Sequence, residues 1–288
     1  MSHGRKVVLM LHSVVPAAEL DERLVPRPRQ EIATQELRAL VRDARDAGWG
    51  LVPLAELLDG PASSQDRVSL TFDDGYRDFH EHALPVLREA AVPSTLFVTT
   101  GYPDRTLLHV SLVVEDLVRR HRLLELHLPD EVRVVDCADP VEAATVVNRL
   151  VWQAGLDSAT DVLAAYRDEW VHHGLTWEQL HDVASDDLTA IGGHTVSHPF
   201  LDLADPASAT REVHADRERL RSVLGVAVDH FAYPFGRSNG GVVDAVRDAG
   251  YGAAVTTQHR DVAPDDERFL LPRRCVESGR PFRALVDD

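Results

Sequence analysis

Val68-Ser69-Leu70-Thr71-Phe72-Asp73-Asp74-Gly75-Tyr76 is the stretch that decides the fold. Val68, Leu70, Thr71 and Phe72 are apolar or β-branched, and the run stops at two adjacent carboxylates and a glycine. That pattern predicts a buried strand delivering Asp73 and Asp74 to its C-terminal edge, with Gly75 turning the chain away. Neighbouring carboxylates repel and are costly to bury as a pair. A metal ion or a proton relieves the repulsion. Strand neighbours point to opposite faces, but a turn at the last residues brings both toward one pocket. Asp-Asp-Gly is also ordinary turn chemistry, so this stretch alone leaves a solvated turn open.

Working outward, residues 7–11 read as a first buried strand ending at His12-Ser13. Residues 14–31, rich in proline and charge, read as a loop. A helix follows over 34–47, with Thr34 as its cap and Gly48 as its stop. A short strand at 51–52 and a helical turn over 54–58 precede the 68–72 strand. A helix over 79–90 and a strand over 94–99 come next. The order β, α, β, α, β argues a parallel sheet with crossover helices. Residues 102–186 break this rhythm and read as a mostly helical insertion. It has helices over 107–124, 140–152 and 158–170, and a strand over 132–135. Alternation then resumes with strands over 189–191, 228–233, 252–256 and 270–276. Helices over 207–224 and 241–249 separate them, and a last turn spans 281–286. About seven β/α units make the expected fold α/β. It is a distorted (β/α)7-type barrel, one catalytic domain over 1–288 with an insertion at about 102–186. Function in such folds sits at the C-terminal ends of strands.

Composition narrows the partners. The 288 residues are 44% hydrophobic and 27% charged, as in a soluble globular protein. A net charge of -17 disfavours nucleic acid, strongly anionic polymers and anionic membrane surfaces. Cys137 and Cys275 give neither a disulfide framework nor zinc-ribbon spacing. No stretch approaches a membrane span. The apolar run at 7–11 is too short for a secretion signal, so a cytoplasmic location is expected.

A second constellation, Gly193-His194-Thr195-Val196-Ser197-His198-Pro199, lies about 120 residues beyond Asp73 and Asp74. Fifteen histidines in 288 residues produce about one His pair four apart by chance, so the pair alone is weak. Gly192, Gly193 and Pro199 oppose a regular helix and place it on a strand end and tight loop. One carboxylate with two imidazoles offers three ligands and an open position, the pattern of a catalytic metal site. Zinc fits first; Co2+, Ni2+, Mn2+ and Fe2+ also suit such donors. A metal there lowers the pKa of bound water toward about 7 and polarises a carbonyl. The second carboxylate is then free to act as general base.

Thr71-Phe72-Asp73-Asp74-Gly75 and His194-Thr195-Val196-Ser197-His198-Pro199 resemble the first two motifs of the polysaccharide deacetylases, carbohydrate esterase family 4, the NodB-homology group. The resemblance implies Asp73 as catalytic base and Asp74, His194 and His198 as metal ligands. Ala232-Tyr233-Pro234-Phe235-Gly236 resembles the third motif, which implies an oxyanion-binding backbone N–H at Phe235. Leu9-Met10-Leu11-His12-Ser13 and Leu271-Pro272-Arg273-Arg274 are similar to a bacterial branch associated with exopolysaccharide and surface-glycan synthesis. His12 and Tyr233 are substrate-binding candidates, with a structural histidine and a plain aromatic turn as the alternatives. Two departures stand out. The arginine that usually opens the third motif is Ala232 here, leaving Arg273 as the candidate to orient Asp73. The late catalytic histidine is missing, since His259 sits in a polar loop, so the general acid is unassigned.

The expected activity is metal-dependent removal of an N-acetyl or similar small acyl group from an amino sugar. A nucleotide- or lipid-linked glycan, or a small N-acylated metabolite, suits a cytoplasmic enzyme. Hydrolysis of a non-sugar amide or cyclic ureide is one alternative. A degenerate barrel that binds glycan or a partner is the other.

Overall fold

The computed structural model describes residues 4–154 and 158–287. Its strands are β1 (Lys6–Leu11), β2 (Ser13–Val15), β3 (Glu31–Ala33), β4 (Gly50–Leu51), β5 (Arg67–Phe72), β6 (Ser94–Val98), β7 (Leu123–His127), β8 (Val132–Asp136), β9 (Thr189–Gly193), β10 (His230–Ala232), β11 (Ala253–Val255) and β12 (Arg274–Cys275). The main sheet is parallel throughout, in the order β11-β10-β9-β6-β5-β1-β12, with β4 paired to the start of β5. Its two ends meet. Val255 bridges Leu271, Thr256 N donates to Leu271 O at 2.7 Å, and Leu271 N donates to Ala254 O at 3.0 Å. Residues 271–275 thus touch β11 at one end and β1 at the other. They close a distorted (β/α)7 barrel.

The period of two along β5 builds both faces. Val68, Leu70 and Phe72 are fully buried against the outer helices, each by burial worth about 1.5–3 kcal/mol. Thr71 and Asp73 face inward, where Val8, Phe97, Ala232, Val255 and Leu271 fill the barrel. The helix Thr34–Asp46 buries Leu37, Leu40, Val41 and Ala44 on one stripe. Its cap is Ala33 rather than Thr34, and the Glu36 carboxylate accepts from Ala33 N at 2.6 Å. Thr176 caps the helix Trp177–Ala184: its hydroxyl accepts from Gln179 N at 3.1 Å, and Gln179 Oε1 accepts in return from Thr176 N at 3.0 Å.

Three local expectations change. Within 14–31, read as loop, β2 and β3 pair in parallel, with a short helix at Ala17–Asp21. The helix over 79–90 begins as a π-helical turn, Phe79–Ala83, before Leu84–Ala90 continues as α. Pro85 lacks an N–H and its ring crowds the carbonyl one turn back, which the wider turn relieves. In the insertion the first helix is Val110–Arg120, and Leu123–His127 pairs antiparallel with β8. The stretch 158–170 is a short helix, Ala159–Val162, followed by a 3-10 segment, Ala164–Glu169. Leu117, Leu126, Val147, Val151 and Leu163 join in a core of their own, separate from the barrel's.

Candidate active site

The predicted site residues meet at the C-terminal mouth of the barrel. His12 follows β1, Asp73 and Asp74 follow β5, and His194 and His198 follow β9. Tyr233 and Phe235 follow β10, and Arg273 lies in the closing segment. One cleft is lined by His12, Asp73, Asp74, His194, His198 and Phe235. The backbone is bent there. Asp74 (φ 75°), Thr195 (69°), His198 (56°) and Phe235 (59°) all hold the left-handed region. That conformation costs a non-glycine residue about 1–3 kcal/mol. The turn after β5 needs the same region at Gly75 (85°).

Asp73 is 3% exposed, and Arg273 is fully buried beside it. The pair is bidentate: Arg273 Nη1 donates to Asp73 Oδ1 and Nη2 to Oδ2, both at 2.7 Å. Arg273 is itself fixed. Its Nε donates to Thr256 O at 2.9 Å, its Nη1 to Thr71 Oγ1 at 3.1 Å, and its guanidinium lies 5.6 Å from the Phe97 ring centroid. Burial pushes the Asp73 carboxyl up, but the charges of Arg273 and His194 pull it further down, below the usual carboxylate range. Ala232 leaves room at the position where the third motif usually carries arginine, and the charge arrives from another strand.

Asp74, His194 and His198 each offer a ligand atom, and these atoms lie within 4.8 Å of one another. Asp74 Oδ1 is 3.4 Å from His194 Nε2 and 3.3 Å from His198 Nε2. His194 Nδ1 lies 2.6 Å from Ala232 O and donates to it, which aims Nε2 at the cluster; burial lowers the His194 pKa, but Asp74 and Asp73 raise it further. Burial lowers the His198 pKa to about 4, despite Asp74, so that imidazole is neutral. Asp74 Oδ1 is buried with no hydrogen-bond donor. A carboxylate set between two imidazoles is relieved by a shared cation, a proton or a metal ion. The donor set fits a divalent metal, and the Ala232 carbonyl orients the His194 ring toward the position such an ion would take.

Tyr233 is fully buried, its ring 5.3 Å from Phe231 and nearly perpendicular to it. It belongs to the barrel's outer core, and its hydroxyl has no partner. His12 Nδ1 is likewise buried without a partner.

Several residues with no signal in the sequence support this cluster. Asp216, fully buried on the helix Pro206–Leu224, accepts from His194 N at 3.0 Å and from Thr100 N at 3.3 Å. Burial pushes its carboxyl well up. One turn earlier, Glu212 accepts from Val196 N and Ser197 N, both at 2.9 Å, and fixes the loop that carries His198. Burial first, then the Asp74 charge, pushes the Tyr76 phenol well up, so it stays a neutral donor beside Asp74. On the rim, Phe200 stacks on Phe235 at 4.0 Å. Trp152, from the insertion helix Pro140–Ala154, lies 6.1 Å from Phe235 and is 47% exposed.

A closed parallel barrel with this cluster at its C-terminal mouth has the architecture of the deacetylase barrels. The chain belongs to the polysaccharide deacetylase family, whose profile matches residues 60–254. It is similar to YxkH of Bacillus subtilis (strain 168), itself named as a polysaccharide deacetylase. The two are 21% identical over 97% of this chain and 75% of YxkH. The fold is shared with the Streptococcus pyogenes deacetylase PplD, solved with acetate, at a TM-score of 0.68 and 18% identity. That match covers 99% of this chain and 97% of PplD. A de-N-acetylase from Aggregatibacter actinomycetemcomitans matches at a TM-score of 0.65 and 15% identity, over 97% of this chain and 98% of the other.

Proposed function

We propose that this protein is a metal-dependent N-deacetylase acting on an amino sugar within a glycan or glycan precursor. One observation carries the reading. The buried, unpartnered Asp74 Oδ1 lies 3.4 Å from His194 Nε2 and 3.3 Å from His198 Nε2, beside a carboxylate kept ionised by a buried arginine. Asp74, His194 and His198 would hold one divalent cation, zinc first among the metals that suit them. Bound there, it supplies Lewis acidity toward the amide carbonyl and acidifies water.

The remaining work belongs to the chain. Arg273 occupies one lone pair on each Asp73 oxygen and fixes the carboxylate plane. The outward lone pairs are left to take the proton of the attacking water. The Phe235 N–H, set by its left-handed backbone, donates to the oxygen that gains charge. His12, an imidazole in the cleft outside the ligand set with a buried unpartnered nitrogen, delivers a proton to the leaving amine. That fills the role of general acid left open by the sequence. The rim formed by Trp152, Phe200 and Phe235 offers ring faces to a sugar.

The test is acetate or formate release from a panel of N-acylated amino sugars and their oligomers. The wild type releases acid from at least one of them. Asp73→Asn and His194→Ala lose at least about a hundredfold in kcat, in line with loss of a general base. Release unchanged in Asp73→Asn removes the assigned base, and no release from any member of the panel removes the reading.

A further inference from the structure

A second cavity opens at the opposite, N-terminal mouth of the barrel, with a volume of about 550 Å³ against about 160 Å³ for the catalytic cleft. That volume suits a small-molecule ligand. Lys6 and Arg67 both line it. They are register partners on the neighbouring parallel strands β1 and β5, so their side chains leave the same face of the sheet about 5 Å apart. Like charges directly opposite each other destabilise a sheet. Arg67 is only 6% exposed. Neither side chain has a hydrogen bond or an ion pair among the described residues.

The other charges in the wall are already matched. Asp261 pairs with Arg5 at 2.7 Å and Arg274 at 2.9 Å, and Asp266 pairs with Arg260 at 2.6 Å. Arg268 holds both oxygens of Asp59 at 2.7 Å, so Asp59, which feels the Lys6 charge, is already engaged. Two positive charges remain uncompensated at one end of the cavity. Its other walls include Leu58, Val262, Pro264 and Leu271.

We propose that this cavity binds a phosphorylated small molecule, with the phosphate between Lys6 and Arg67 and its body against the apolar wall. A buried guanidinium without a counter-ion is strongly unfavourable, and a bound anion removes that cost. Two adjacent cations match a dianion, whereas a carboxylate neutralises one of them. A guanidinium fork beside a point-charge ammonium is the donor pair suited to phosphate oxygens. The site is independent of the catalytic cleft: Arg67 and Asp73 lie on one strand, roughly 20 Å apart at about 3.3 Å per residue.

Lys6 is the only lysine in the chain, which supplies the assay. Acylation of the protein by an amine-directed reagent is followed at Lys6 by peptide mass spectrometry, with an added lysine-containing peptide as internal control. Inorganic phosphate, a hexose phosphate and a nucleoside diphosphate are compared at constant ionic strength, with acetate as the carboxylate control. A ligand at ten times its Kd slows Lys6 acylation about tenfold and leaves the added peptide unaffected. Protection by all three assigns the site to the phosphate group alone. Protection by the organic phosphates only assigns it to a phosphorylated metabolite held by the apolar wall. Arg67→Gln abolishes protection. Val262→Trp, which fills the cavity and leaves both cations in place, abolishes it too and covers the case in which Arg67→Gln fails to fold. Equal Lys6 acylation with and without all three phosphates overturns the proposal. So does equal protection by acetate, or protection that survives Val262→Trp.

Discussion

Removing the Arg273 guanidinium while leaving Asp73 in place exposes how the candidate base is maintained. Both side chains are withdrawn from water, at 0% and 4% exposure, and two 2.7 Å bonds join them. Arg273→Met therefore leaves a buried carboxylate without its counter-ion, and Asp73→Asn leaves a buried guanidinium. Breaking a buried pair from either side costs about 3–5 kcal/mol. The double variant carries neither charge, so its loss falls well short of the sum of the two single losses. The expected coupling is about 2–3 kcal/mol, the upper range for groups in direct contact. Urea unfolding of chelator-treated protein at one fixed pH measures all four corners of the cycle. The m-values must stay unchanged for the midpoints to report stability. Losses that add within about 0.5 kcal/mol show that the two residues act separately, and the account of a pre-ionised base collapses.

The remaining predictions concern the residues around the cluster. Asp216→Ala leaves the buried N–H groups of His194 and Thr100 without their carboxylate, and metal affinity by competition titration falls about 10- to 100-fold. Gly236 holds φ 68°, and a Cβ there meets Thr257 Oγ1 at 2.1 Å and Thr257 N at 2.6 Å. Gly236→Ala accordingly displaces the Phe235 N–H and lowers kcat, with bound metal by elemental analysis unchanged. Burial, reinforced by Glu31, raises the half-buried Asp78 carboxyl from 3.8 to about 7 against the hydrogen bonds of Ser13 and Val14 N. The native state then holds a proton that the unfolded chain has released, so stability falls as pH rises from about 4 to 7, by at most about 4 kcal/mol. Asp78→Asn keeps an acceptor for Val14 N and flattens that slope in unfolding curves taken across the range.

The barrel was legible because each strand carries its own pattern. The apolar and β-branched residues of 68–72 and 94–98 sit between turn residues, and Gly225 stops its helix in the left-handed conformation. The cluster was legible because Asp73, Asp74, His194 and His198 stand at strand ends. The supporting shell was not. Asp216 and Glu212 lie in a helix dense with charge, where a carboxylate ordinarily faces water, and only the packing of that helix on β9 turns them inward. Ring closure rests on a single bridge at Leu271, too short for a periodic signal. The first two residues of β7, Leu123 and Leu124, were read as the end of a helix because Leu123-Leu124-Glu125-Leu126 fits either period over so few residues. The vacancy left by Ala232 is filled from 41 positions further along the chain, by Arg273, a distance that only the closed barrel spans.

The central claim is that Asp74, His194 and His198 hold a metal required for N-deacetylation. Protein stripped with chelator and titrated with zinc, while acetate release from an N-acetylated amino-sugar oligomer is followed, tests it most directly. Stripped protein is expected to show negligible release, restored in proportion to added metal and saturating at one equivalent, with no restoration in His194→Ala. Full-rate release from the stripped protein, or equal restoration in His194→Ala, contradicts that claim.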